Sequence, residues 1–234
     1  MDLTLNPALH IQSIDIPDTQ EQVFIIDDFL LDPEPVLHFA KKYAYFNPVG
    51  ADGTFYPGIR DHMPAPYTRV LAQLLNRDLY PFTCGYGPQR VTKSMLSLIT
   101  LGQSQLHDVQ KMPHIDSSND RAFASVHYLS SQPRGGTAIY KFKPTGTVQI
   151  NQSNQDIVLS MIEQVKAHSH EHSGYINGDT SLFEKVVDIP ERFNRLVIYK
   201  SNLLHSARLT HEQSISSSVE HGRLTVSSFF NDLQ

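Results

Sequence analysis

From about residue 88 the chain breaks into short apolar runs divided by turn residues, and this pattern constrains its fold more than any other feature. Residues 90–101, 122–129, 137–142, 183–189, 195–199, 203–207 and 223–230 all read as strands. Turn-forming stretches such as Gln132-Pro133-Arg134-Gly135-Gly136 separate most of them, the two glycines answering a backbone need for positive φ. Many short strands punctuated in this way predict a β-sandwich or jelly roll, whereas a wound parallel sheet would place a helix after each strand. One helix interrupts the series at residues 155–167, with Val158, Met161, Ile162 and Val165 on one face.

The first part of the chain has a different texture. Residues 1–21 are polar and irregular, and residues 22–29 read as a short strand. Asp32 then suits a helix N-cap, with Pro33 at the first helical position and Val36, Phe39, Ala40 and Tyr43 along one face. Residues 46–65, rich in Gly, Pro and Asp, predict a long loop. A second helix is expected over residues 67–77, burying Val70, Leu71, Leu74 and Leu75. The expected fold is mainly β with helical additions. Residues 1–234 form a single domain: an N-terminal strand and helices make an α-rich lead-in over about 1–87, packed on a β core over about 88–232.

Composition narrows the function. Hydrophobic residues at 40% and charged residues at 18% exclude bulk disorder. No apolar run approaches the roughly 20 residues of a membrane helix. A net charge of −5 argues against a general nucleic-acid binder, which must neutralise many phosphates. Cys84 is the single cysteine, so there is no intrachain disulfide and no cysteine-based zinc site. The N-terminus lacks a secretory signal, and a cytoplasmic location is expected. The 12 histidines are the unusual count.

Two of them sit in informative places. In His114-Ile115-Asp116, an extended chain turns positions i and i+2 to one face, so a nitrogen and an oxygen can reach the same point. His205 follows an apolar strand and a tight turn, Ser201-Asn202, which can deliver a third ligand from an opposite wall. Two histidines and one carboxylate on one side of a metal leave open positions on the other, the arrangement of a non-haem ferrous centre. A His hydrogen-bonded to an Asp is the structural alternative. Farther on, Arg223, Thr225 and Ser227 share one strand face and Leu224 and Val226 the other. A guanidinium beside a hydroxyl makes a good receptor for a carboxylate. A solvated edge strand reads equally well.

His114-x-Asp116, the distal His205 and Arg223 on the last strand together resemble the Fe(II)- and 2-oxoglutarate-dependent oxygenases. The resemblance is closest to the prolyl-hydroxylase-like branch, within an uncharacterised bacterial group. It covers roughly residues 88–232 and extends to Arg134–Tyr140, to Phe193–Tyr199 and to the opening residues 23–30. It implies a double-stranded β-helix, the cupin-like jelly roll, with Fe(II) held by His114, Asp116 and His205. 2-Oxoglutarate would chelate the metal and set its C5 carboxylate on Arg223, with Thr225. O2 would be the oxidant and ascorbate a possible reductant, and the cosubstrate would leave as succinate and CO2. Asp116 favours hydroxylation over halogenation, since halogenating relatives carry a small residue there. The interval from His205 to Arg223 is longer than the family's usual one, which makes Arg208 a rival anchor.

The implied substrate is a small molecule or a peptide side chain. A non-catalytic cupin-like metal-binding module is the alternative. A zinc hydrolase is disfavoured because no His-Glu-x-x-His helix supplies a base. The cluster His168-Ser169-His170-Glu171-His172 reads as an exposed loop, and His107 and His127 as core or supporting groups. Tyr128 is a further candidate for a bond to the cosubstrate. The long segment 144–180 is expected over or beside the mouth of the core, with a plain packing helix as the alternative.

Overall fold

The computed structural model describes residues 1–80, 87–209 and 215–232. Cys84 lies outside these residues. The elements in chain order are β1 (His10–Asp15), β2 (Gln22–Asp27), α1 (Glu34–Lys42), β3 (Gly58–His62), α2 (Ala65–Gln73) and β4 (Gln89–Ile99). There follow β5 (Phe123–Tyr128), β6 (Gly135–Phe142), α3 (Ile157–Ala167), β7 (Phe183–Pro190), β8 (Leu196–Lys200), β9 (His205–Leu209) and β10 (Leu224–Asp232). The strands form a seven-stranded sheet, in the order β1-β2-β8-β5-β10-β4-β3, and a three-stranded sheet, β7-β6-β9. Every pairing is antiparallel. The two sheets stack as a jelly roll, mainly β with helical additions.

Period-two alternation explains the layers. Phe24, Ile26, Leu96, Leu98, Leu196, Ile198, Leu224 and Val226 leave one face of the large sheet and pack with Val36, Val70 and Leu71 of α1 and α2. Val23, Ile25, Val197 and Tyr199 leave the other face and meet Ile139, Val187 and Ile189 of the small sheet. Ala138, Tyr140 and Phe142 on the outer side of β6 receive Met161 and Val165 of α3. Both sheets are therefore covered outside and share one interior, which is where a cavity can form.

Two expectations about the lead-in are corrected. Residues 1–21 are not irregular throughout, because His10–Asp15 pairs with β2 as an edge strand. Residues 46–65 are not all loop, because Gly58–His62 pairs with β4 and ends the sheet on the other side. Neither strand has the apolar alternation of a half-buried one; backbone pairing carries them, helped by single side chains such as Ile11 and Ile59 packed on the core. Gly58 is required there, since a Cβ would lie 1.9 Å from the Leu98 carbonyl oxygen. The second helix starts at Ala65 and ends in a wider π-helical turn, Leu74–Asp78. The N-cap of α1 is Pro33, one residue later than expected, and the Asp32 carboxylate just before it accepts the Glu34 amide at 2.9 Å. Gly135, the first residue of β6, has both the positive φ of 149° and crowding, a Cβ falling 1.7 Å from the Arg208 carbonyl oxygen, whereas Gly136 answers crowding alone: a Cβ would meet the Ile189 carbonyl oxygen at 2.1 Å.

Beyond strand pairing and core packing, side chains tie the lead-in to the loop before β8. Asn194 adopts φ 60°, a conformation asparagine tolerates. Its side chain accepts the Leu30 amide at 3.1 Å and donates to the Leu30 carbonyl at 2.8 Å. Next to it, Arg195 grips Asp27 with two bonds of 2.7 and 3.0 Å. Among the described residues no helix is long and apolar enough to cross a membrane.

Candidate metal centre and cavity

Backbone bonds bring the three candidate ligands together. The His114 amide donates to the His205 carbonyl at 2.9 Å, and the His205 amide returns a bond of 2.9 Å to His114. This single residue pair extends the small sheet beyond β9. The Asp116 amide donates to the Ser201 carbonyl at 2.8 Å, which turns its carboxylate to the same side. The ligating atoms of His114, Asp116 and His205 all lie within 4.8 Å of one another. Metal–ligand bonds of about 2.0–2.2 Å would draw them slightly closer. The half-exposed His114 is the freest of the three to move.

The chemistry of this set calls for a cation. His205 Nδ1 lies 2.8 Å from the Leu203 carbonyl, which can only accept, so Nδ1 carries the proton. Its Nε2 lone pair then faces Asp116 Oδ2 at 3.3 Å. Two acceptors this close need a proton or a metal ion between them. Burial alone would lower the His205 pKa, but the Asp116 charge and hydrogen bond raise it overall. Burial would raise the Asp116 pKa, yet His205 holds it below the ordinary carboxylate value, so Asp116 is an anion. Desolvation on its inner side, then His205 beside it, lowers the pKa of the half-exposed His114 and favours a neutral ring. A neutral imidazole and a carboxylate are the forms that bind metal.

The triad opens on a cavity of about 530 Å³ between the sheets, a size that suits a small ligand. Arg223 lines it. This arginine is 3% exposed; its Nη2 donates to the Gly136 carbonyl at 3.0 Å, and its Nε lies 3.9 Å from the buried Glu191. Arg208 does not line the cavity. Its Nε donates to Asp188 of β7 at 2.7 Å, across β6. Thr225 is fully buried but lies behind the wall, not on it.

Pair register shows what surrounds Thr225. Arg60, Ser97, Thr225 and Tyr128 sit opposite one another across β3, β4, β10 and β5, a polar row on the interior face of the large sheet. Arg60 Nε donates to Ser97 at 3.1 Å, and Tyr128 bonds Thr137 of the small sheet at 2.6 Å. In the middle, Thr225 Oγ1, Arg223 Nε and the Tyr56 hydroxyl are buried without a well-formed hydrogen bond. Tyr128 is thus committed to Thr137. Tyr56 and Arg60 are cavity residues that the sequence did not suggest, because they lie in a stretch that reads as loop.

Of the two histidines expected as core or supporting groups, one is inside and one is not. His127 is fully buried, 3.2 Å from both the Tyr67 hydroxyl and Asn194 Oδ1. His107 is an exposed residue whose ring meets Phe55 edge-on. In the 168–172 cluster the expectation of a wholly exposed loop is corrected. His170 is exposed, but His172 is buried against the Phe183 ring, because the chain after α3 turns back onto the small sheet. Among the described residues no second group of candidate ligands converges. α3 itself packs on the outer face of the small sheet, so the helix of segment 144–180 is no cover for the mouth. Only its trailing part reaches the cavity, through Tyr175, whose hydroxyl is anchored on the Leu101 carbonyl at 2.7 Å.

Comparison with known proteins yields one family. A family model described as a family of unknown function (DUF6445) matches residues 7–230. No curated protein sequence matches the chain. Among solved structures, similar folds include the non-haem α-ketoglutarate-dependent epimerase SnoN from nogalamycin biosynthesis, at 14% identity and TM-score 0.49, over 90% of this chain and 77% of that one. HygX from Streptomyces hygroscopicus, with nickel and 2-oxoglutarate bound, is similar at 14% identity and TM-score 0.48, over 90% and 82%. The α-ketoglutarate-dependent carbocyclase SnoK is similar at 12% identity and TM-score 0.49, over 90% and 79%.

Proposed function

We propose that this chain, which belongs to the DUF6445 family, is a non-haem Fe(II)- and 2-oxoglutarate-dependent dioxygenase of the prolyl-hydroxylase-like kind. It would hydroxylate a small molecule or a peptide side chain. The observation that carries the reading is the convergence of His114, Asp116 and His205 within 4.8 Å beside a cavity that also holds the buried Arg223.

Bound Fe(II) and 2-oxoglutarate would supply the means to oxidise an unactivated C–H bond with O2, releasing succinate and CO2. The chain's own residues do the rest. The Leu203 carbonyl fixes the His205 tautomer so that Nε2 is the free ligand atom. Asp116 brings the negative charge that favours a divalent cation. Arg223, shielded from water, would take the carboxylate end of the cosubstrate with its planar fork. Phe55, Pro57, Val109 and Phe229 give the cavity an apolar wall that limits water. A metal-binding module without turnover would have no use for a buried arginine beside the triad, which weighs against that alternative.

The test is succinate release from the purified protein supplied with Fe(II), 2-oxoglutarate, O2 and ascorbate. Slow succinate formation without a primary substrate is expected, and Asp116→Ala should lose it while keeping its thermal unfolding transition. A protein that binds Fe(II) but never forms succinate, or whose turnover survives Asp116→Ala, defeats the proposal.

A further inference from the structure

The polar row beneath the cavity has an unmet demand at its centre. Thr225 Oγ1, Arg223 Nε and the Tyr56 hydroxyl are buried without a well-formed hydrogen bond, the Tyr56 hydroxyl having only the Thr225 and Ser97 hydroxyls beside it. A buried hydroxyl without a partner is destabilising, so such groups mark a strained site or a ligand not shown. Of the two hydroxyls, only that of Tyr56 belongs to a residue on the cavity wall.

Tyr56 is also firmly presented. Its ring lies under the Arg60 guanidinium, 4.1 Å from ring centre to Cζ. Arg60 Nη1 reaches back to Asp52 at 3.1 Å and to Thr54 at 3.4 Å. The Tyr56 amide is held by the Thr54 hydroxyl at 3.3 Å, and the Phe55 carbonyl by Gln110 at 2.8 Å. Arg60 therefore gathers residues 52–56 into a wall, and the buried Tyr56 hydroxyl comes within reach of the charges of Arg60 and Arg223. Thr54, Phe55 and Pro57 of the same wall also line the cavity.

We propose that Tyr56, not Thr225, supplies the hydroxyl that joins Arg223 on the cosubstrate carboxylate, so that cosubstrate binding holds the 52–57 wall in place for the substrate. This rests on the reading of the cavity as a 2-oxoglutarate site. Tyr56 is then a binding residue brought in by the lead-in, and the lead-in takes part in the site it encloses.

The experiment measures 2-oxoglutarate binding to the Zn(II)-loaded protein by titration calorimetry, for wild type, Tyr56→Phe and Thr225→Val. Loss of a hydrogen bond to a charged group predicts about tenfold or greater weakening in Tyr56→Phe. Thr225→Val should change affinity no more than about threefold. In parallel, chymotrypsin should cut after the exposed Phe55, and 2-oxoglutarate should slow that cut in wild type but not in Tyr56→Phe. Equal affinity of wild type and Tyr56→Phe, a larger defect in Thr225→Val, or protection that survives in Tyr56→Phe overturns the inference and leaves the proposed function standing. A wild-type protein that binds Zn(II) but no 2-oxoglutarate overturns both.

Discussion

Replacing Arg223 with alanine should weaken 2-oxoglutarate binding far more than replacing Arg208, and the surroundings of the two residues set the scale. Arg223 is 3% exposed, and it faces the cavity with one nitrogen fixed on the Gly136 carbonyl. Removing a charged donor from such a site costs about 1.5–3 kcal/mol, or roughly ten- to hundredfold in the apparent KM for 2-oxoglutarate. Arg208 is already committed to Asp188 at a half-open edge and touches no part of the cavity. Its loss removes one surface pair, worth about 0–1 kcal/mol of stability, and should leave KM nearly unchanged. Arg223→Ala carries a second effect, because Glu191 is wholly buried 3.9 Å away and would lose its cation. Breaking a buried pair costs about 3–5 kcal/mol, and the long separation places this one toward the lower end. Arg223→Lys separates the two effects: it keeps a charge for Glu191 and should restore the urea midpoint, but not the planar fork or the KM. Succinate release against 2-oxoglutarate concentration, with urea unfolding alongside, reads both. A larger KM defect in Arg208→Ala than in Arg223→Ala would refute the assignment.

Other outcomes are open to direct measurement. A divalent ion at a hundred times its Kd should stabilise wild type by about 2.7 kcal/mol, a rise of about 5–11 °C in Tm, and Asp116→Ala should show no rise. An unchanged shift in Asp116→Ala would mean that the ion binds elsewhere. Burial lowers the folded pKa of His127 to about 4 from 6.5. Its contribution to stability is therefore intact above pH 6.5 and is lost as pH falls toward 4, because only the unfolded chain takes up the proton. That loss amounts to about 3 kcal/mol, and His127→Phe should flatten the urea-stability profile over this range; parallel profiles would contradict it. Asn194→Ala removes the paired bonds to Leu30 and places alanine at φ 60°, so a loss of about 2–4 kcal/mol is expected in urea unfolding.

The strands of the β core could be read from the sequence because their apolar residues repeat with a period of two and most are buried on both faces. His114, Asp116 and His205 were legible for a related reason: extended geometry aligns i with i+2, and a strand-turn-strand run ends in a histidine. The same parity argument turned Arg208 away from the ligand face, and its side chain does point to Asp188. β3 was not legible. Gly58-Ile59-Arg60-Asp61-His62 has no apolar alternation, and its strand character comes from pairing with β4, a contact distant in sequence. Missing β3 meant missing Arg60, and with it Tyr56. His172 was hidden by its polar neighbours, since its burial depends on where the chain after α3 folds back.

The bridge between His114 and His205 is one residue pair wide, so His114 hangs on two amide bonds at the margin of the small sheet, beside a His205 that β9 also pairs to β6. A sheet end so short opens readily by itself, and its amides should trade their hydrogens with solvent far sooner than those of β6 or β8. A metal ion gripping both side chains would close that margin from the other side. Deuterium uptake at the His114 and His205 amides should therefore report metal occupancy directly: rapid in chelator, slow with metal, and indifferent to metal in Asp116→Ala. The site can be watched through its backbone, before any substrate is identified.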